Sequence, residues 1–298
     1  MIGTGAIRLD EYDVEPRFAA TVVSTERIMS PSSPLRVPAD EEVRELVLDV
    51  DRPDFPYEAG QSLGVIAPGS PALGRPHHFR LYSVADLPER NEAGKPRIKI
   101  CVRRCAHIDT VTGERHLGVA SNYLCDLKPA DTLSVNGPFG LPFAVPQEQD
   151  AHLILIGTGT GIAPFRAFVK HIYRDRPDWT GRIWLFNGAR SGLELLYMND
   201  QTTDFVQYYD WETFEAFRAL SPRPGWADRI AWDYSFAERL EELWSMLSSV
   251  KTYVFVAGQE HLRGQLDERF MDVAGSREAW ARRKAALVAS GRWVELLY

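Results

Sequence analysis

The sequence predicts two domains: an antiparallel β-barrel or sandwich in the first half, and a doubly wound α/β domain with a parallel sheet in the second. Three observations predict this. The chain has 298 residues, room for two domains of about 100–200 residues each. Before about Val145, short β-rich runs alternate with Pro/Gly clusters, as in antiparallel all-β folds. After it, apolar runs alternate with segments whose apolar residues recur at helical spacing, the rhythm of βα units. The Pro-rich stretch 138–147 lies at the change, so the expected domains are 1–146 and 147–298.

In the first half, strands are expected at 43–50 (VRELVLDV), 61–66 (QSLGVI), 79–84 (FRLYSV), 97–102 (RIKICV) and 132–135. Turn-forming segments such as APGSPALGRPHH and NEAGKP separate them, and SPSSPLRVP (30–38) reads as a surface loop. In the second half, 152–156 (HLILI) is a short continuous apolar run, as in a buried parallel strand. A helix over 164–174, a strand at 182–187 and a helix over 236–247 follow. Then come a strand at 253–257, helices over 261–273 and 277–289, and a terminal strand at 292–298.

Composition narrows the function classes. Hydrophobic residues make up 45% and charged residues 25%, the balance of an ordinary globular protein. The net charge of −7 argues against a surface built for nucleic acid. That charge is unevenly placed: residues 1–60 hold 13 acidic and 6 basic side chains, and the remainder sums to zero. The three cysteines, Cys101, Cys105 and Cys125, are too few for a disulfide framework or a four-thiolate cluster. They indicate a reducing compartment, and no metal site is expected. No run approaches the ~20 apolar residues of a membrane helix, and the first residues lack the features of a signal peptide. A cytoplasmic protein is expected.

The strongest local signal is Gly157-Thr158-Gly159-Thr160-Gly161-Ile162-Ala163-Pro164, between an expected strand and helix. Glycines let backbone approach an anion, and the helix that Pro164 opens aims free N–H groups and its positive end at the same place. A phosphate fits this loop, though the loop alone does not say which nucleotide carries it. In the first half, Arg80-Leu81-Tyr82-Ser83 would put Arg80 and Tyr82 on one strand face, a cation beside a flat aromatic. Gly118, Val119, Ala120 and Ser121 would open a helix toward an anion. Taken singly, these two segments read first as a half-exposed strand and a capped helix start.

Together the pieces resemble the plant-type ferredoxin–NADP⁺ reductase family. Eight motifs stand in the family order: YEAGQSLGVI (57–66), RLYSVA (80–85), CVRR (101–104), GVASNYLCDLKP (118–129), GTGTGIAPFRAF (157–168), WLFNGARS…LLY (184–197), VFVAGQ (254–259) and WVELLY (293–298). The resemblance implies a Greek-key barrel holding FAD, an α/β domain holding NADP(H), and hydride transfer in a cleft between them. It implies that Arg80 pairs with the FAD pyrophosphate, that Leu81 is also cofactor-binding, and that Tyr82 stacks on the isoalloxazine, with Ser83 near flavin N5. Cys101, Val102 and Arg103 would line the FAD site, and Gly118 to Ser121 would hold phosphate. For the nicotinamide nucleotide it implies Thr158, Gly159, Gly161, Ala189, Arg190, Gly258 and Gln259. Ser83, Glu295 and Tyr298 are the implied catalytic residues, with Tyr298 covering the flavin face that nicotinamide must reach.

Three departures stand out. Ala257 replaces the family cysteine before Gly258. His107 takes the position of the aromatic residue that stacks on the FAD adenine in plastid members. In the loop that reads the 2′-phosphate, Ser221, Arg223 and Arg229 are present, but the family tyrosine is absent and Asp228 intrudes. Two arginines against one aspartate favour NADPH, with NADH as the alternative. The expected electron partner is a separate ferredoxin, flavodoxin or other small electron-transfer protein, and a monomer suffices. Two other readings share these motifs: the reductase component of a multicomponent oxygenase, and a flavoprotein subunit of a larger redox complex. Residues 75–104 hold eight basic and three acidic side chains. Arg75, Arg90, Lys95, Arg97 and Lys99 are therefore expected to form a basic face that steers an acidic partner.

Overall fold

Seven strands of the first half pair into one antiparallel sheet, ordered β4-β3-β9-β1-β2-β6-β5, in the computed structural model of the chain. They are β1 (Phe18–Arg27), β2 (Val43–Val50), β3 (Ser62–Pro68), β4 (His77–Ser83), β5 (Glu89–Arg90), β6 (Pro96–Arg103) and β9 (Thr132–Phe139). An isolated antiparallel bridge between Val84 and Ile100 ties the end of β4 to β6 and closes the sheet into a barrel. The remaining strands, β7 (Ala106–Ile108) and β8 (Arg115–Leu117), form a separate hairpin. It leads into the helix α1 (Val119–Asp126). The structure describes residues 13–29, 42–69, 74, 76–109, 111–140, 143–199, 202–223, 229–237 and 239–297. Arg75, Asp228, Tyr298 and the side chain of His107 lie outside the described residues.

Alternation along the strands builds the barrel core. In β2 the buried positions Leu46, Leu48 and Val50 join Ile98, Ile100 and Val102 of β6 in one cluster. Phe55, Tyr57, Leu63 and Val65 complete that cluster, and Tyr82 and Tyr123 pack on it while only partly buried.

In the second half five parallel strands are ordered β12-β11-β10-β13-β14. They are β10 (His152–Thr158), β11 (Ile183–Ala189), β12 (Phe214–Leu220), β13 (Thr252–Gly258) and β14 (Trp293–Leu297). The helices are α2 (Ala163–Asp175), α3 (Trp232–Ala237), α4 (Leu240–Ser248), α5 (His261–Ala274) and α6 (Arg277–Ala289). From β10 the chain winds outward through β11 and β12, then returns to the other side of β10 with β13 and β14. The order therefore reverses between β10 and β13, and such a switch point opens a crevice at the carboxyl ends of its strands. Leu153 to Ile156 are fully buried, as a strand covered on both faces requires.

The expected elements recur with ends moved by a few residues, apart from one helix and several strands. The helix expected over 236–247 is two helices, α3 and α4. Arg239 leaves helical geometry (φ −130°, ψ 23°) at the start of α4, and its guanidinium bonds Glu215 and Glu242. Strands β1, β5, β7, β8 and β12 depart from the expected set. In β12 the apolar residues Phe214, Phe217 and Leu220 recur every third position, a helix-like spacing that pairing with β11 overrides. The described residues divide into two compact units, one within Met1–Arg27 and Val37–Leu141, the other within Ile28–Arg36 and Pro142–Tyr298. Ile28 and Met29 are thus buried in the second unit, where Asn199 Nδ2 donates to the Ile28 carbonyl at 3.1 Å. Among the described residues no helix is long and apolar enough to cross a membrane.

Candidate functional site

In the first unit, β4 supplies Arg80, Leu81, Tyr82 and Ser83 in one extended run. Alternation puts Arg80 and Tyr82 on one face, and the buried Phe79 on the other against Phe139. The Arg80 guanidinium donates to the Phe79 carbonyl at 2.8 Å. Burial, with Cys105 and Cys125 nearby, pushes the Tyr82 phenol well above its ordinary pKa, so it is a neutral aromatic at any working pH. Cys101 and Val102 are buried, and Val102 belongs to the barrel core, so only its backbone is available to a ligand.

Helix α1 packs against β3, β4 and β6. No side chain caps its N-terminus, and its first turn holds no acid. Unpaired N–H groups at such an end favour an anion. The turn is built around Gly118: its N–H donates to the Cys105 carbonyl at 2.9 Å, and Ser121 Oγ accepts from the Cys105 N–H at 3.1 Å. A Cβ on Gly118 would lie 2.8 Å from Ser121 Oγ, so glycine keeps this cradle open. Arg80, an uncapped helix start and a serine hydroxyl together suit a pyrophosphate.

In the second unit the switch point gathers the glycine loop. Thr158 ends β10, and Gly159 takes φ +55° in the left-handed region. Gly161 sits so close to β13 that a Cβ would lie 2.4 Å from the Ala257 carbonyl. Gly258 (φ +148°) presses on Thr158 in the same way. Among the described residues the hydroxyls of Thr158 and Ser191 are buried without a hydrogen-bond partner. Buried polar groups are nearly always paired, so an orphan hydroxyl on the glycine loop and another two residues past the end of β11 fit a polar ligand. Ala189 ends β11, and its carbonyl accepts from the buried Ser221. Arg190 makes a two-pronged contact with the buried Glu194, at 3.0 and 3.2 Å. Arg229 is 75% exposed, with Glu268 at 3.5 Å. Gln259 is exposed just before α5, and Arg223 lies among the described residues at the edge of the same loop. Pro224 to Asp228 fall outside them.

Glu295 lies in a network that sequence reasoning missed. Its carboxylate accepts from Arg263 Nε at 2.6 Å and Trp293 Nε1 at 2.7 Å, and Lys284 Nζ stands 3.4 Å away. Burial raises its pKa, but the Trp293 and Arg263 hydrogen bonds and the Lys284 charge outweigh it, so the net shift is downward. On β14 the neighbouring Leu296 points to the other face and stands opposite Ala257 in register.

The expected basic face is corrected. Arg97 forks onto Asp49 at 2.8 and 2.9 Å, Lys95 pairs with Asp51, and Lys99 pairs with the buried Asp86. Arg90 donates to the carbonyls of Pro53 and Gly94. Antiparallel pairing of β2 with β6 sets Asp49 directly opposite Arg97, so Asp49 and Asp51, from the first sixty residues, neutralise two cations of this basic run. Among the described residues no group of three or more His, Cys, Asp or Glu gathers as a metal site.

Comparison with known proteins identifies relatives of the chain. A family model described as the oxidoreductase NAD-binding domain matches residues 155–267. A ferredoxin–NADP reductase from Spirulina sp. is 32% identical over 260 residues, which are 84% of this chain and 87% of that protein. The leaf isozyme 1 of ferredoxin–NADP reductase, chloroplastic, from Oryza sativa subsp. indica is 33% identical over 246 residues, 80% of this chain and 67% of that one. Among solved structures, a ferredoxin–NADP⁺ reductase from Plasmodium falciparum has 21% identity and a TM-score of 0.67, covering 96% of this chain and 98% of that one. That likeness concerns the fold.

Proposed function

The chain belongs to the ferredoxin–NADP⁺ reductase family, and from that premise we propose that it passes electrons between NADPH and a ferredoxin through bound FAD. The observation that carries this is similarity along 84% of the chain and 87% of a ferredoxin–NADP reductase. FAD, when bound, supplies the means to take a hydride as an electron pair and to release electrons singly.

The first unit is read as the FAD-binding domain and the second as the NADP(H)-binding domain. The Arg80 guanidinium and the uncapped start of α1 would hold the flavin pyrophosphate. Tyr82, neutral and fixed on the barrel core, would give the ring system a flat apolar platform, with Ser83 donating a hydrogen bond at its edge. In the second unit Thr158, Ser191 and Ser221 would bond the nicotinamide nucleotide. The cations Arg190, Arg223 and Arg229 would meet a 2′-phosphate, which favours NADPH over NADH. Ala257 offers no thiol, so this end of β13 orients nicotinamide by shape alone. Glu295, held among cations on the helix side of β14, is read as an anchor for the terminal strand rather than a proton carrier. Tyr298 is proposed, from the family resemblance alone, to cover the flavin face that nicotinamide must reach. A flavodoxin is the other partner this reading admits. The three described cysteines carry no disulfide, which suits a reducing compartment such as the cytoplasm.

The test is anaerobic mixing of the purified yellow protein with NADPH or NADH, followed by oxidised ferredoxin. Flavin absorbance should bleach faster with NADPH and return when ferredoxin is added. A chain that neither carries nor takes up FAD would overturn the reading.

A further inference from the structure

We propose that Arg104 is a positioning residue for the flavin pyrophosphate, acting through helix α1. This deepens the reading above and rests on its assignment of FAD to the barrel. Arg104 follows the last residue of β6, and its side chain is only 14% exposed. Its guanidinium reaches three acceptors at once: Glu42 Oε2 from Nε at 2.9 Å, Asn122 Oδ1 from Nη1 at 3.1 Å, and Asp126 Oδ1 from Nη2 at 2.8 Å. The Arg104 N–H also donates to the Glu42 carbonyl at 2.9 Å, which fixes the base of the side chain.

Asn122 and Asp126 are four residues apart, so they lie on one face of α1. Gly118 stands one further turn toward the N-terminus on the same face. Asn122 passes the grip along, because its Nδ2 donates to the Gly118 carbonyl at 2.8 Å and to the Cys105 carbonyl at 2.9 Å. One planar fork therefore fixes the rotation and axial position of α1 against the barrel, and Asn122 fixes the turn from which its unpaired N–H groups emerge. Lysine, a point charge, cannot span three acceptors this way. Glu42 remains paired with Arg44 if Arg104 is removed, so the substitution strands no lone carboxylate.

A positioning role makes a distinctive prediction. FAD carries phosphates for the α1 N-terminus to meet, and riboflavin carries none. Dissociation constants of both flavins are measured by fluorescence quenching on the full chain, for wild type, Arg104→Gln, Asn122→Ala and the double variant. Each single variant should weaken FAD binding about tenfold, the scale of one charge-assisted hydrogen bond, and leave riboflavin within about twofold. The double variant should be little worse than the weaker single, since both residues act in one chain of contacts. Parallel losses for both flavins, or unchanged FAD binding in folded variants, overturn the proposal. A wild-type chain that takes up no FAD overturns the flavin assignment itself.

Discussion

At the residue scale the informative groups are those whose partners come from distant sequence. Glu295 is held by Arg263 of α5 and Lys284 of α6, and by Trp293 two residues before it on β14. Its folded pKa is depressed, so its stabilising contribution is present above the unfolded carboxylate value and fades as pH falls through the lower folded one. Glu295→Gln should lower stability by about 1–2 kcal/mol at neutral pH and flatten the fall of Tm between neutral and acid pH. Thermal melts across that range check both. Lys99 offers a sharper case: its partner Asp86 has a side chain only 2% exposed. Lys99→Ala should cost about 3 kcal/mol by leaving that carboxylate without its cation, measured by urea unfolding. The sequence marked Glu295 and Lys99 as functional or exposed charges, because a sequence does not show what a side chain will face.

At the element scale, the glycine loop was legible because its chemistry is local. A strand, a run of glycines and a proline at a helix start are consecutive residues obeying backbone rules. What stayed hidden is that Gly161 exists as much for β13 as for a ligand. A Cβ there would meet the carbonyl of Ala257 at 2.4 Å, so Gly161→Ala must push the loop from the sheet. We expect a loss of about 2 kcal/mol or more together with weaker NADPH binding, read by chemical denaturation and by nucleotide titration. The α3–α4 break and strand β12 were missed for a related reason. Arg239 abandons helix geometry to reach Glu215 of β12, and β12 is a strand because β11 offers it an edge.

At the scale of the whole molecule, the charge distribution changes meaning on folding. The sequence separates an acidic beginning from a basic stretch at 75–104, and the barrel lays β2 beside β6 so that the two meet. Cations already paired with Asp49, Asp51 and Asp86 steer a partner weakly, since each pair presents little net field beyond a Debye length of about 10 Å at 0.1 M salt. Lys95→Gln should therefore change the rate of ferredoxin reduction less than about twofold at low ionic strength, where a steering residue has its largest effect. Stopped-flow traces over a salt series check it, and a steep loss would restore the basic face.

The sequence by itself determined the two-part architecture, most strands and helices, the glycine loop and the family, because these are written in short-range periodicity and contiguous motifs. Only the tertiary structure decided which charges are neutralised, that Arg104 holds α1 by three acceptors, that Glu295 is paired with Arg263 and Lys284, and that among the described residues Thr158 and Ser191 carry unpartnered hydroxyls. Those facts depend on which residues far apart in the chain become neighbours across a sheet or a helix face. Register and burial set them, and both arise only when the whole fold closes.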